Sequence, residues 1–208
     1  MRVLKTVTLL LVLAAGPALA DGARLAGLPA ALLSGAAAEA TQHEIPNPPV
    51  PSIRAGSRTI VLGETTLSEI KDAFGGTLHQ ADDGAVSASW LCYAIPGDHP
   101  QLVWFLADGG AGGLSQPVTL VAASFADPKS GCYNARGGLH GLALGAPGLG
   151  AGEADLARQF GAVAALHGMV AYINQSAASD GATTVQSLNY LIVDGRITAL
   201  AASQATLH

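Results

Sequence analysis

Charge is scarce in this chain. Of 208 residues only 12% are Asp, Glu, Lys or Arg, and ten basic residues face fifteen acidic ones. The basic residues are scattered singly. Binding to nucleic acid, or adhesion to an anionic lipid surface, needs clustered Lys and Arg to neutralise phosphates, so the sequence argues against both. Aromatic residues make up 5% and there are two cysteines. No Cys-x-x-Cys occurs and no His stands beside Cys92 or Cys132 at ligand spacing, which argues against a metal pair. The chain also lacks a Gly-x-Ser-x-Gly elbow, a His-Glu-x-x-His pair, a P-loop, and a Gly-x-Gly-x-x-Gly that opens a helix after a strand. No catalytic residue, metal ligand or cofactor is therefore assigned, and the expectation leans away from an enzyme.

What is present begins with an export signal. Arg2 and Lys5 form a basic start, Thr6 to Ala15 an apolar run, and Ala18-Leu19-Ala20 a small-x-small cleavage site, so residues 1–20 read as a signal peptide and the mature chain begins at Asp21. The apolar run is about half of the roughly 20 residues a spanning helix needs. No later segment reaches that length without Gly, Pro or charge, so no transmembrane segment is expected after cleavage. Losing Arg2 and Lys5 leaves eight basic residues against fifteen acidic, a net charge of −7 with His neutral. The compartment is periplasmic or extracellular. In such an oxidising setting Cys92 and Cys132 most simply form one disulfide. A catalytic thiol is the alternative.

Residues 21–57 read as a tail and linker. Leu28 to Leu33 suggests a frayed helix interrupted by Pro29, and four prolines between Pro46 and Pro51 favour an extended spacer. A first unit spans 58–126. Thr66-Leu67-Ser68-Glu69 is a capping box. Leu67, Ile70, Ala73 and Phe74 then form one apolar stripe, and Gly75-Gly76 stops the helix. Val86 to Ile95, Leu102 to Ala107 and Val118 to Phe125 read as three strands, with Pro96–Pro100 as a turn. A connector, 127–139, leads to a second unit, 140–208. Its Leu144-Gly145, Leu156 to Gly161, Tyr172 and Leu188 to Gly195 echo Leu62-Gly63, Ile70 to Gly75, Tyr93 and Leu102 to Gly109. Both closing hairpins end in Ala-Ala-Ser. The expected fold class is α+β: two tandem units, each a short helical segment packed on a small antiparallel β-meander.

Several polar clusters invite function. His79, Asp82 and Asp83 are the nearest approach to a metal cluster, in an expected loop after the helix, where three polar groups are ordinarily solvated. Asp108 and Asp194 occupy echoed positions, but Asp-Gly at a strand end is common turn chemistry. Gly109 to Gly113 could offer backbone amides to an anion, but it leads into a strand rather than a helix. The aromatics carry more. Trp90, Tyr93, Trp104, Phe105 and Tyr133 are concentrated in the first unit. Successive strand residues point to opposite faces, so Trp104 and Phe105 cannot share one core. One of them packs against the second unit or belongs to an exposed binding surface, and these five residues are the candidate surface.

A Leu-Gly lead-in, a short capped helix ending Phe-Gly and an antiparallel meander, present twice over about residues 58–204, resemble the BamE-like and beta-lactamase-inhibitor-like (BLIP-like) fold. The resemblance implies a protein-binding or scaffolding role in the envelope, with another envelope protein as partner. No binding residue is carried over. Those inhibitors hold a disulfide within each repeat, whereas Cys132 falls in the connector here, and BamE-type proteins carry a lipidation Cys that this chain lacks. The functional expectation is an exported, non-enzymatic protein-binding or scaffolding module. A periplasmic small-ligand binder, or an accessory subunit of an enzyme with a site between the two units, is the alternative. The sequence leaves the oligomeric state open.

Overall fold

The computed structural model describes residues 25–35, 40–82, 87–109, 112–126, 130–161, 168–177 and 181–207. The signal segment and its cleavage site lie outside them, as do Asp83 and the middle of the Gly109–Gly113 loop. The described chain is mostly β. In order, it forms α1 (Gly27–Leu33), β1 (Thr41–Glu44), β2 (Ile53–Ala55), β3 (Arg58–Ile60), α2 (Leu67–Phe74), β4 (His79–Asp82), β5 (Ser87–Ile95), β6 (Gln101–Asp108), β7 (Leu120–Phe125), β8 (Tyr133–Asn134), β9 (Leu142–Ala143), α3 (Glu153–Phe160), β10 (Gly168–Ala177), β11 (Thr183–Val193) and β12 (Arg196–Leu207).

The expected pair of helix-on-meander α+β units is not what forms. Nine strands make one mixed sheet in the order β1-β10-β11-β12-β7-β6-β5-β4, with β8 also on β5, and β3-β2-β9 make a small second sheet. The two meanders are present, but they share a hydrogen-bonded seam. β7 and β12 run antiparallel from Ala199 opposite Ser124 to Ser203 opposite Leu120. The physical reason is the edge. Separate meanders would each leave β7 or β12 with a row of unpaired amides and carbonyls, and both strands are apolar on both faces. Pairing them satisfies both rows. The two Ala-Ala-Ser segments meet there, with Ala122 opposite Ala201.

Residues 41–60, read as linker and lead-in, supply three strands. β1 pairs in parallel with β10, and β2 pairs with both β3 and β9. Val50, Ile53 and Ala55 are buried. The amide of Val50 donates to Gln186 Oε1 at 3.1 Å, and Asn174 Nδ2 donates to the Ile45 carbonyl at 3.0 Å. The Pro46–Pro51 stretch is thus tied at both ends to the sheet.

Local expectations hold in α2. Glu69 N donates to Thr66 Oγ1 at 3.3 Å while the Thr66 amide donates to Glu69 Oε2 at 2.7 Å, the reciprocal capping box. Leu67, Ile70 and Phe74 are buried on one stripe. The connector closes on the end of this helix. A Cβ at Gly137, whose φ is +64°, would overlap the Ala73 carbonyl, so only glycine allows that approach.

The hairpin echo holds at Ala-Ala-Ser but slips by one residue at Asp-Gly. Phe105 pairs with Val121, and the residue in the same relation to β12 is Tyr190, opposite Leu200. Counting back from Asp-Gly would instead match Phe105 with Leu191. Two features absorb the slip. The register of β11 and β12 shifts between Leu191 and Ile192. Asp194 and Gly195, with φ of 52° and 72°, make a tight primed turn where Asp108-Gly109 opens a longer loop. A one-residue slip exchanges the faces of every side chain. Trp104 therefore corresponds in the sheet to Asn189, not to Tyr190.

The sheet buries both faces. The first is the main core: Leu91, Tyr93, Val103, Phe105, Val121, Leu188, Tyr190 and Tyr172 pack under α2, α3 and the small sheet. The second carries Trp90, Cys92, Leu102, Trp104, Leu106, Leu120, Ala122, Ala199 and Ala201, with Leu28 of α1 upon them. α1 lies over β7 and β12, the seam itself. Alanine at Ala122 and Ala201 leaves the room that lets a helix seat there. Cys92 and Cys132 are joined, their Cα atoms 5.0 Å apart across 40 residues of sequence. Among the described residues no helix is long and apolar enough to cross a membrane.

Two outcomes are expected. The unreduced chain should weigh less than the reduced chain by two hydrogens, and Cys132→Ala should lower unfolding free energy by about 4 kcal/mol on chain-entropy grounds. Mass spectrometry that finds two free thiols contradicts the first. Leu28→Ala should weaken the seating of α1 by roughly 2–5 kcal/mol. Acrylamide quenching of tryptophan emission should then rise, because Trp104 lies under this helix's cluster. Unchanged quenching would separate α1 from that face.

Candidate functional site

The structure divides the five aromatics named as a candidate surface between the two faces of the sheet. Tyr93 and Phe105 point to the first face and meet Phe74, with ring centroids 6.1 and 6.4 Å from it. Tyr133 stands half-buried, edge-on to Tyr93 at 6.4 Å, and Arg136 lies over its ring at 5.4 Å. Trp90 and Trp104 point to the second face, only 4% and 3% exposed. Both indole nitrogens are buried without a hydrogen-bond partner among the described residues. The inference that Trp104 and Phe105 lie on opposite faces is correct, but each face is covered at that point.

Other candidates disperse. His79 and Asp82 lie on β4 rather than in a loop, three residues apart and so on opposite faces. His79 stacks on Trp90 at 5.8 Å, and burial lowers its pKa. Among the described residues no three His, Cys, Asp or Glu side chains converge as a metal site. β6 and β11 run antiparallel within the sheet order, so Asp108 and Asp194 fall at opposite ends of it. At the Gly109 carbonyl the loop is closed by the Gln116 side-chain amide.

The structure instead brings together residues not singled out from sequence. Side chains on the second face lie in rows across the strands. One row reads Gln42, Ala171, Asn189, Ala201, Ala122, Trp104, Cys92. The next reads Ile173, Ser187, Ser203, Leu120, Leu106, Trp90. On the β5–β6 side these rows are bulky, with Cys132 of the connector packed against them, while α1 lies over β7 and β12. On the β10–β12 side they are small or polar. A groove of about 370 Å³ opens there, bordered by Leu32 and Leu33 of α1 and reaching Ala88 and Asp108 at its far end.

Its floor holds a neutral polar trio. Asn189, 4% exposed, donates from Nδ2 to Ser187 Oγ at 2.9 Å, and the Ser187 and Ser203 hydroxyls share a hydrogen bond of 2.8 Å. Around it lie Ile173, Val185, Leu106 and Leu120. Asp108 is the one ionisable side chain among the described lining residues. A groove of this kind can hold an uncharged or weakly polar molecule. One sequence signal existed: Asn189 interrupts the apolar run Leu188 to Val193. It was hidden because the Asp-Gly echo assigned that position to Val103.

The first face has its own electrostatic signature. Tyr93 and Tyr190 donate to the Gly75 and Pro147 carbonyls at 2.7 and 2.9 Å. Burial, with the neighbouring Tyr133 and Tyr172 as smaller causes, pushes the Tyr93 and Tyr190 hydroxyls well above the ordinary range. Burial and the Glu153 charge push Tyr172 up to about 12. A folded-state value above the unfolded value means stability that is full below about pH 10 and lost as pH rises through the folded values. Denaturant midpoints should be flat up to about pH 10 and then fall, each tyrosine costing about 1.4 kcal/mol per pH unit. Phenolate absorbance should show Tyr172 ionising before Tyr93 and Tyr190 in the folded protein. Ionisation of these three tyrosines near pH 10 in the folded protein would contradict this.

Comparison with known proteins adds no relative: no family model, no curated protein and no solved structure matches this chain, and none bears on the resemblance to the BamE-like and beta-lactamase-inhibitor-like proteins.

Proposed function

We propose that this is an exported, non-enzymatic binding protein whose ligand lies in the groove on the second face of the sheet, beside α1. The N-terminal signal pattern and the joined Cys92 and Cys132 support export. The observation that carries the binding role is the trio of Asn189, Ser187 and Ser203 on the floor of an otherwise apolar groove. Buried polar groups are ordinarily satisfied, and a concave apolar site with a few convergent polar groups is the usual form of a small-molecule site. The small-ligand reading is favoured over protein docking through the aromatics because Trp90, Tyr93, Trp104 and Phe105 are buried in the two cores.

The test is retention. Native mass spectrometry of the mature chain, purified from its own envelope without denaturant, should show a bound small molecule. Ala205→Trp places a bulky ring at an exposed position on the groove rim. It should abolish retention while leaving circular dichroism and the denaturation midpoint unchanged. An unliganded mass in the parent protein, or retention undiminished in the variant, would overturn the reading.

A further inference from the structure

We infer that the groove selects a neutral amphiphile: a straight hydrocarbon chain bearing an uncharged ester or amide carbonyl, with that carbonyl seated on Asn189, Ser187 and Ser203. This deepens the small-ligand reading above and rests on it. Three features carry it.

The first is shape. The groove runs across the strands rather than along them, from Ile173 on β10 past Val185 on β11 and Ala205 on β12 to Leu106 on β6. Four strand spacings of about 4.8 Å make it roughly 19 Å long. A volume of about 370 Å³ spread over that length is a narrow trench. That outline suits an extended chain better than a globular ligand. Each methylene buried there adds to affinity through the hydrophobic effect.

The second is the count of hydrogen-bond donors. Ser187 and Ser203 have two hydroxyl hydrogens, and the bond between them at 2.8 Å uses one. Asn189 has two amide hydrogens, and the bond to Ser187 Oγ at 2.9 Å uses one. Whichever serine donates, one hydroxyl hydrogen and one amide hydrogen remain in the trio. Two donors left within one cluster call for an acceptor, and a carbonyl oxygen has two lone pairs.

The third is charge. Asp108 is the only ionisable side chain bordering the groove among the described residues, and no Lys, Arg or His lines it. A carboxylate headgroup would lose hydration without gaining a cation, and would meet Asp108. An ammonium headgroup would leave the donors of the trio without an acceptor. The uncharged carbonyl avoids both costs.

The experiment is calorimetric titration of the mature chain, below micellar concentrations, with monolauroylglycerol, laurate and dodecyltrimethylammonium. Monolauroylglycerol should bind at least tenfold tighter than either charged amphiphile. Ser203→Ala should lower that affinity about tenfold and remove the preference, Ser203→Thr should restore it, and Ala205→Trp should abolish binding. Circular dichroism and denaturation midpoints report whether each variant is folded. Equal or tighter binding of laurate, or a preference that survives in folded Ser203→Ala, would overturn the carbonyl assignment. If none of the three binds while the native protein retains another small molecule, this inference fails and the ligand-binding reading stands. If nothing binds and nothing is retained, both fail.

Discussion

The pairing of β7 with β12 is the constraint on which the rest of the structure depends. Neither meander can stand alone without exposing an edge, because both strands are apolar on both sides and carry no charge or proline across the paired residues. Once the edges join, one sheet spans the molecule. Its length then dictates what else must pack. The eight residues of α2 cannot cover one face, so α3 and the small β3-β2-β9 sheet share it. The opposite face, which a solvated meander would leave polar, instead carries Trp90, Trp104, Leu102 and Leu106 and needs a cover of its own.

That cover is incomplete by construction. α1 is seven residues long, about 10 Å, and seats where Ala122 and Ala201 make the surface low. Toward β5 and β6 the large indoles fill the space, and the Cys92–Cys132 link fixes the connector over them. Toward β10 and β11 the slip at the Asp194-Gly195 turn places Asn189 where the other hairpin has Trp104. The substitution of an amide for an indole at corresponding sheet positions turns a packed core into a groove with a polar floor. A single turn geometry thus decides between a packed core and an open groove.

Sequence periodicity captured the strands of the first meander, the Thr66–Glu69 capping box and the pairing of the two cysteines, because each depends on residues close in the chain or on a pair with no competitor. It missed what depends on distant edges meeting. The repeat suggested two units because an echo carries no information about whether β7 and β12 pair. Residues 41–44 read as part of the tail and linker because the strand Thr41–Glu44 is short and polar, and only the neighbouring edge of β10 makes it a strand. The echo counted from Asp-Gly matches Asn189 with Val103 rather than with Trp104, because the register shift between Leu191 and Ile192 leaves no mark in composition. The groove followed that error, since Asn189, Ser187 and Ser203 come together only through the sheet.

The most direct measurement of the shared sheet is residue-resolved amide hydrogen exchange across Leu120–Ser124 and Ala199–Ser203. A strand bonded on both sides protects every amide, whereas an edge strand protects alternate ones. The account predicts slow exchange at every residue of both segments, with Ala122 and Ala201 among the slowest. Exchange alternating with a period of two along either segment would mean that the seam is open and that the two meanders are separate sheets.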